Sequence, residues 1–172
     1  MRYFYDTEFI EDGSTISLIS IGVVAEDGRE YYAVSTDCDL SRACSWVQAN
    51  VISQLPAKDS GLWKSSATIR KELEEFLLED HRRPELWAWV GAYDHVLLAQ
   101  LWGDMSALPE RMPHYTRDLR QYWEFVGRPE LPLIGQGKHN ALEDARHNFL
   151  RFKRLMEIAP LDRRSKLVNL PN

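Results

Sequence analysis

The chain has 172 residues, of which 44% are hydrophobic and 27% are charged, and its formal net charge is −5. A chain of this length predicts one domain whose core needs no disulfide or metal to hold it together. The acidic balance disfavours a protein that grips long nucleic acid by broad phosphate neutralisation, although bound cations can invert the sign locally. The chain shows neither a bilayer-spanning apolar run nor a secretion signal, so no membrane association and a cytoplasmic location are expected.

The first part of the chain predicts three antiparallel strands. Residues 2–10 form the first strand, and residues 15–25 are nearly all apolar or β-branched, as in a strand covered on both faces. Asp27-Gly28 is a two-residue hairpin turn, after which residues 29–35 return as the third strand.

Helical and short-strand patterns alternate through the remainder of the chain. In chain order they predict a helix near residues 41–51, a helix over 66–80, a strand over 85–90, a helix over 93–102, a fifth strand over 113–116, a helix over 118–126 and a last helix over 141–158.

This order of elements predicts an α/β fold. Three antiparallel strands are followed by strands reached through helices, which pair in parallel with right-handed crossovers. The expected architecture is a mixed sheet of five strands flanked by helices. No repeat or linker divides the chain, so residues 1–172 are expected to form a single domain.

The first strand carries two acids, Asp6 and Glu8, at positions that share one face. Like charges held this close repel each other, and burying them is costly unless a cation is present. A hard divalent cation such as Mg²⁺ would resolve the conflict. Taken alone, the pair is better explained by an exposed strand face on which both acids meet water.

A second cluster surrounds the start of the last helix. Asn140 is a good N-cap and Glu143 completes a capping-box pattern, so the helix should begin at Ala141. This places His139 and Asp144 at the two positions that meet in a hydrophobic staple. We therefore expect the imidazole and the carboxylate to converge at the start of this helix.

Asp94 is the fourth acid of interest. It follows the Gly91-Ala92 break, in the first turn of a helix after a parallel strand, where open α/β sheets place their sites. In isolation, an acid favoured by the helix macrodipole explains it equally well. Acids in the first strand, at Asp94 and in the last helix together form a combination that is much rarer than any one of them alone.

The order Asp-x-Glu, Asp and His-x4-Asp resembles the DEDDh 3′-to-5′ exonucleases of the ribonuclease H-like superfamily. Asp6, Glu8, Asp94, His139 and Asp144 carry this resemblance. The strings Asp-Thr-Glu-Phe and Trp-Ala-Trp-Val-Gly-Ala-Tyr-Asp look particularly similar to the small actinobacterial polyadenylate-specific 3′-exoribonucleases. The chain departs from many relatives just before Asp94, where it has Gly91-Ala92 and Tyr93 in place of His-Asn and Phe.

The resemblance implies a metal-dependent enzyme that hydrolyses single-stranded RNA from its 3′ end to nucleoside 5′-monophosphates. Two Mg²⁺ or Mn²⁺ ions, a preference for adenylate-rich ends and a homodimer are implied as well. Single-stranded DNA or short oligonucleotides are the alternative substrates, since no residue identifies a 2′-hydroxyl sensor. A non-catalytic nucleic-acid-binding module is the less favoured alternative, because it has no reason to keep mutually repelling acids.

The resemblance also implies a role for each site residue. Asp6 would bridge both ions, Glu8 and Asp144 would hold the ion on the nucleophile side, and Asp94 would support the other. His139 would accept the proton of the attacking water, a role that suits an imidazole because it titrates near neutral pH.

Several further residues have two interpretations. Phe9 would contact the terminal base or ribose by the resemblance, or pack in the core. Trp87 and Trp89 would stack bases, but burial or a subunit interface is the better interpretation in a central strand. Gly135 and Gly137 predict a loop that orders when substrate and metals bind. A late cluster of basic residues is interpreted mainly as a solvated helix face and tail: Arg151, Lys153, Arg154, Arg163, Arg164 and Lys166.

Overall fold

The computed structural model describes residues 1–133, 135 and 138–161. Its strands are β1 (Arg2–Glu11), β2 (Ile16–Ala25), β3 (Glu30–Ser35), β4 (Trp63–Lys64), β5 (Glu85–Ala88) and β6 (Arg117–Asp118). Its helices are α1 (Ser45–Asn50), α2 (Ser66–Leu78), α3 (Ala92–Gln100), α4 (Leu119–Phe125) and α5 (Ala141–Ile158), with short 3-10 helices at Leu40–Arg42, Ile52–Gln54 and Met105–Ala107. Within this described part of the chain, no helix combines the length and the apolar character needed to cross a membrane.

The sheet runs in the order β4-β3-β2-β1-β5-β6. The first three strands pair antiparallel, and the β1–β5, β5–β6 and β3–β4 pairs are parallel, which confirms the predicted mixed α/β sheet. The described residues form six strands instead of the predicted five. The prediction missed β4, because a two-residue strand carries no alternating pattern. The strand expected over 113–116 is β6, slightly further along.

Most predicted bounds lie within two residues of the observed ones. The strand expected over 85–90 ends at Ala88, because Val90 has a backbone φ of 59° that a strand does not allow. The helix expected near 41–51 is a 3-10 turn followed by α1. By contrast, α5 has the predicted bounds, and Asn140 caps it by accepting hydrogen bonds from the N–H groups of Leu142 (3.1 Å) and Glu143 (3.3 Å).

Helices cover both faces of the sheet. On one face, α2 and α3 bury Leu73 and Leu98 against Tyr3 and Tyr5 of β1. On the other face, α5 packs onto Phe4, whose ring centroid lies 4.9 Å from that of Phe152. Because side chains alternate along a strand, the residues that follow Phe4 on the same face point toward α5. These residues are Asp6 and Glu8.

Gly22 of β2 lets α5 approach the sheet closely. It pairs with Asp6 in the β1–β2 register. A Cβ atom at this position would lie 2.4 Å from the backbone of Ala141 and from Cα of Leu142. The first turn of α5 therefore rests directly on β2, beside the first site acid.

Gly22→Ala should destabilise the fold, because the added methyl group must push backbone away and cannot be accommodated by a rotamer change. Overpacking of this kind costs about 1–3 kcal/mol, so the urea midpoint of unfolding should fall. Gly135→Ala is the control, since a Cβ atom at Gly135 meets nothing within 4 Å. Equal midpoints for the two variants would contradict the close approach at Gly22.

Candidate active site

The five residues singled out by sequence line one cleft of about 460 Å³. Asp6 and Glu8 come from β1, Asp94 from the first turn of α3, and Asp144 from the start of α5, with His139 just before its N-cap. Further residues line the same cleft: Thr7, Phe9, Trp89, Val90, Tyr93, Lys138, Asn148 and Arg151. The fold thus gathers segments that are far apart in the chain into a single acidic site.

Asp94 is buried and is held by β1. Its Oδ1 atom accepts hydrogen bonds from the backbone N–H of Thr7 at 2.9 Å and from the Thr7 hydroxyl at 2.6 Å. Burial raises the pKa of Asp94, and the two Thr7 bonds oppose this rise only in part. Thr7 thereby ties the start of α3 to the strand that carries the other two acids.

His139 and Asp144 meet at the start of α5, as the capping pattern predicts. The atom of His139 that contacts the carboxylate belongs to the backbone, whereas the pattern predicted a contact of the imidazole. The backbone N–H of His139 donates to Oδ2 of Asp144 at 2.8 Å. His139 adopts a left-handed backbone conformation, with φ of 69°. Its ring packs edge-on against Trp46 of α1, with centroids 4.8 Å apart and planes at 82°. Sequence reasoning did not connect Trp46 to the site.

Burial and charge repulsion together raise the pKa values of the acids in the cleft. Burial, Asp144 and Asp94 together raise the pKa of Glu8 to about 8. Burial and the same two neighbours raise the pKa of Asp6 well above its usual range, while Arg151 opposes the rise. No donor among the described residues forms a hydrogen bond to the carboxylate of Asp6 or Glu8. These acids therefore need protons or bound cations.

The donor set fits a divalent cation. Glu8, His139 and Asp144 each offer a ligand atom, and these three atoms lie within 4.8 Å of one another. Donor atoms this close together could converge on a single cation. Carboxylate oxygens suit Mg²⁺ and Mn²⁺. The position of His139 among possible ligands differs from the sequence interpretation, in which it serves as a base and, with Glu8 and Phe9, as a substrate contact, but not as a metal ligand.

Arg151 lies at the site although its sequence context suggested a solvated helix face. Its guanidinium stacks 4.1 Å from the ring centroid of Trp89 and donates to Oδ1 of Asn148 at 3.0 Å. Asn148 is buried and donates in turn to the backbone carbonyl of Tyr5 at 3.1 Å. Asp144, Asn148 and Arg151 follow an i, i+4, i+7 spacing, which was the available signal that they share a helix face.

Aromatic residues form one wall of the cleft. Phe9 stacks on the half-exposed ring of Tyr93, with centroids 5.4 Å apart and planes at 12°, so it faces the cleft and not the core. Trp87 is buried under α5, whereas Trp89 lines the cleft. Val90 beside it has the left-handed φ that is rare for a β-branched residue and concentrates at functional sites.

Some sequence predictions fall outside the described residues. Gly137 of the expected mobile loop is one of them, so the ordering of that loop stays a prediction. Arg163, Arg164 and Lys166 of the basic cluster are the others.

The sheet, its helices and the acidic cleft define a ribonuclease H-like α/β fold. The structure is similar to that of S. pombe Pop2p in its Mg²⁺- and Mn²⁺-bound form, with a TM-score of 0.55 and 11% sequence identity. The match covers 91% of this chain and 82% of Pop2p. At this level of identity the likeness concerns the fold alone, and it confirms the predicted fold class.

Sequence comparison assigns the chain to a narrower group than the fold does. The profile of the 3′-5′ exoribonuclease Rv2179c-like domain matches residues 1–156. The chain is 62% identical over 154 residues to 3′-5′ exoribonuclease Rv2179c of Mycobacterium tuberculosis strain ATCC 25618 / H37Rv, and equally to 3′-5′ exoribonuclease MT2234.1 of strain CDC 1551 / Oshkosh. Each match covers 89% of this chain and 92% of the relative. The chain belongs to the Rv2179c-like 3′-5′ exoribonuclease family, which confirms the resemblance recognised from its motifs.

The raised pKa of Glu8 predicts that the metal-free protein loses stability as pH rises. Folded Glu8 holds its proton up to a pKa of about 8, whereas an ordinary glutamate releases it near 4.5. The folded state therefore binds more protons between these values. The free energy of unfolding should fall by up to about 1.4 kcal/mol per pH unit across this window.

Urea unfolding in EDTA at several pH values measures this slope. Glu8→Gln should make it shallower, because the amide does not titrate, while the raised pKa values of Asp6 and Asp94 maintain part of the slope. Mg²⁺ or Mn²⁺ should raise the midpoint more at pH 8 than at pH 5. The prediction is wrong if Glu8→Gln keeps the parental slope.

Proposed function

We propose that this chain is a metal-dependent 3′-5′ exoribonuclease that hydrolyses single-stranded RNA to nucleoside 5′-monophosphates. The observation that carries the proposal is the convergence of four carboxylates and one imidazole in a single cleft. Two relatives of high identity bear the name 3′-5′ exoribonuclease, which supports the same reaction. A preference for adenylate-rich 3′ ends, a homodimeric state and a cytoplasmic location stay predictions from the resemblance and the sequence.

The proposed cofactors are two ions of Mg²⁺ or Mn²⁺. Asp6 would lie between them, Glu8 and Asp144 would hold one, and Asp94 would support the other. Such ions, when bound, stabilise negative charge on the attacking and leaving oxygens. Asp6 and Glu8 receive no hydrogen bond from the described residues, which supports this assignment, because such carboxylates retain their oxygens for metal.

His139 is the proposed general base. Water attacks the phosphorus of the last phosphodiester, the bond to the 3′-oxygen of the upstream nucleotide breaks, and that oxygen takes up a proton. His139 would accept the proton that the water loses. Two contacts orient it for this role, the bond from its backbone N–H to Asp144 and the edge-on packing of its ring against Trp46.

The stacked rings of Phe9 and Tyr93 are proposed to receive the terminal nucleotide. They offer a flat apolar surface beside Glu8, and a base that packs there gains stacking energy without sequence-specific hydrogen bonds. Glu8 and His139 line the same cleft and would contact the terminal nucleotide together with Phe9.

His139→Ala should lower kcat by about 10²- to 10⁴-fold, since that is the usual contribution of a positioned general base. Because the ring also lies within reach of the acid ligands, kcat should be measured over a range of Mn²⁺ concentrations. A loss that persists at saturating Mn²⁺ supports the base, and full recovery would identify His139 as a metal ligand instead. His81→Ala, at an exposed position outside the cleft, is the control.

The substrate proposal is tested with matched RNA and DNA oligomers that carry either a free or a phosphorylated 3′ end. We expect stepwise release of nucleoside 5′-monophosphates from RNA with a free 3′ end, and resistance of the blocked RNA. Equal cleavage of DNA would favour the alternative of single-stranded DNA or short oligonucleotides. Absence of hydrolysis of every oligomer in Mn²⁺ would favour a non-catalytic nucleic-acid-binding module.

A further inference from the structure

A second groove, also of about 460 Å³, adjoins the acidic cleft. We call it the tryptophan groove and define it by Trp89, Trp123, Arg128 and Arg151 together with residues 129–133. Trp89 and Arg151 line both the groove and the cleft, so the two form one continuous depression. Phe9 and Tyr93 line the cleft but do not line the groove.

Each tryptophan of the groove is paired with a guanidinium. The ring centroids of Trp89 and Trp123 are 5.8 Å apart with planes at 48°. Arg151 lies 4.1 Å from the centroid of Trp89, and Arg128 lies 5.7 Å from that of Trp123. The indole N–H of Trp123 donates to the carbonyl of Pro129 at 2.8 Å, which fixes this ring against the wall of the groove.

The charge of the groove contrasts with that of the cleft and of the whole chain. Among the described residues, two guanidiniums line it against one carboxylate, Glu130, whereas the net charge of the chain is −5. Arg128 pairs with Glu124 at 3.4 Å, but both side chains are exposed and such pairs contribute little. Breaking the pair with Glu124 therefore costs little free energy, and Arg128 remains available to bind a phosphate.

We propose that the tryptophan groove binds the nucleotide immediately upstream of the scissile phosphate in single-stranded RNA. Its base would stack on the indoles, and its phosphate would lie near Arg128. This inference rests on the proposed function, because it names the second subsite of that reaction. Aromatic surfaces combined with arginine are the usual means of binding single strands without sequence preference.

RNA is favoured over a protein occupant for two reasons. The groove continues directly into the cleft where the scissile phosphate must lie, so a strand with its 3′ end at Phe9 can extend into it. Its excess positive charge also complements a phosphate backbone. A second copy of this chain carries a net negative charge but offers no comparable feature that would favour the binding of an apolar surface in the groove.

The experiment compares two substrates of the same chemistry. One is a single-stranded RNA oligomer, and the other is the p-nitrophenyl ester of a nucleoside 5′-monophosphate, which has a scissile bond but no upstream nucleotide. Trp123→Ala and Arg128→Glu should each raise KM for RNA by about tenfold, the effect of losing one stacked base or phosphate contact. The KM for the ester should change by less than about twofold.

Three variants serve as controls. Arg120→Glu replaces an exposed arginine of α4 that pairs with the same Glu124 but does not line the groove, and it should keep the parental KM for RNA. Trp123→Phe and Arg128→Lys should recover most of the RNA affinity, which separates stacking and charge from simple loss of structure.

The outcomes are distinguishable. Unchanged KM for RNA in both Trp123→Ala and Arg128→Glu would overturn the proposal, and so would an equal loss on RNA and on the ester. A changed mass by light scattering with unchanged KM for RNA would overturn it in favour of a contact between copies. Failure of the parent enzyme on both substrates would refute the proposed function and this subsite with it.

Discussion

Repulsion among the four carboxylates of the cleft is the physical constraint on which the rest of the structure depends. Asp94 and Asp144 are each given donors, from Thr7 and from the backbone of His139. Asp6 and Glu8 receive none from the described residues, and burial raises the pKa of both. The fold therefore has to hold these acids in place by packing, because local hydrogen bonds satisfy only half of them.

That packing comes mainly from α5 and the two strands beneath it. The aromatic contact of Phe152 with Phe4 anchors the middle of the helix, and Gly22 allows its first turn to touch β2. Since Asp144 belongs to this first turn, its distance from Asp6 depends on how closely the helix approaches the sheet. The placement of the acids is thus a consequence of core packing on the α5 face. The free energy of folding that is lost by burying these acids is recovered through packing elsewhere in the protein.

Sequence patterns predicted the parts of this arrangement that local chemistry determines. The alternation of β1 put Asp6 and Glu8 on one face, and the capping residue Asn140 set the start of α5. The two-residue strands β4 and β6 were missed or misplaced, because pairing with neighbours and not local pattern defines them. Trp46 and Arg151 were not linked to the site for a related reason. Their contacts with His139 and Trp89 join distant segments, which no local pattern signals, although helical spacing placed Arg151 on the same face as Asp144.

Arg151 lies where the acidic cleft meets the tryptophan groove, and the two ends of the depression differ in charge. One end carries four carboxylates that attract cations, and the other carries guanidiniums that repel them. Under the proposed function, metal ions would be confined to the acidic end, and the upstream phosphates of a bound strand would lie toward the guanidiniums. A strand that enters by one end brings that end to the acids and its remaining phosphates to the guanidiniums, whichever end leads. The separation of charge would thus favour cleavage at a strand end, and the choice of the 3′ end would fall to residues that contact the terminal nucleotide, such as Phe9 and Tyr93.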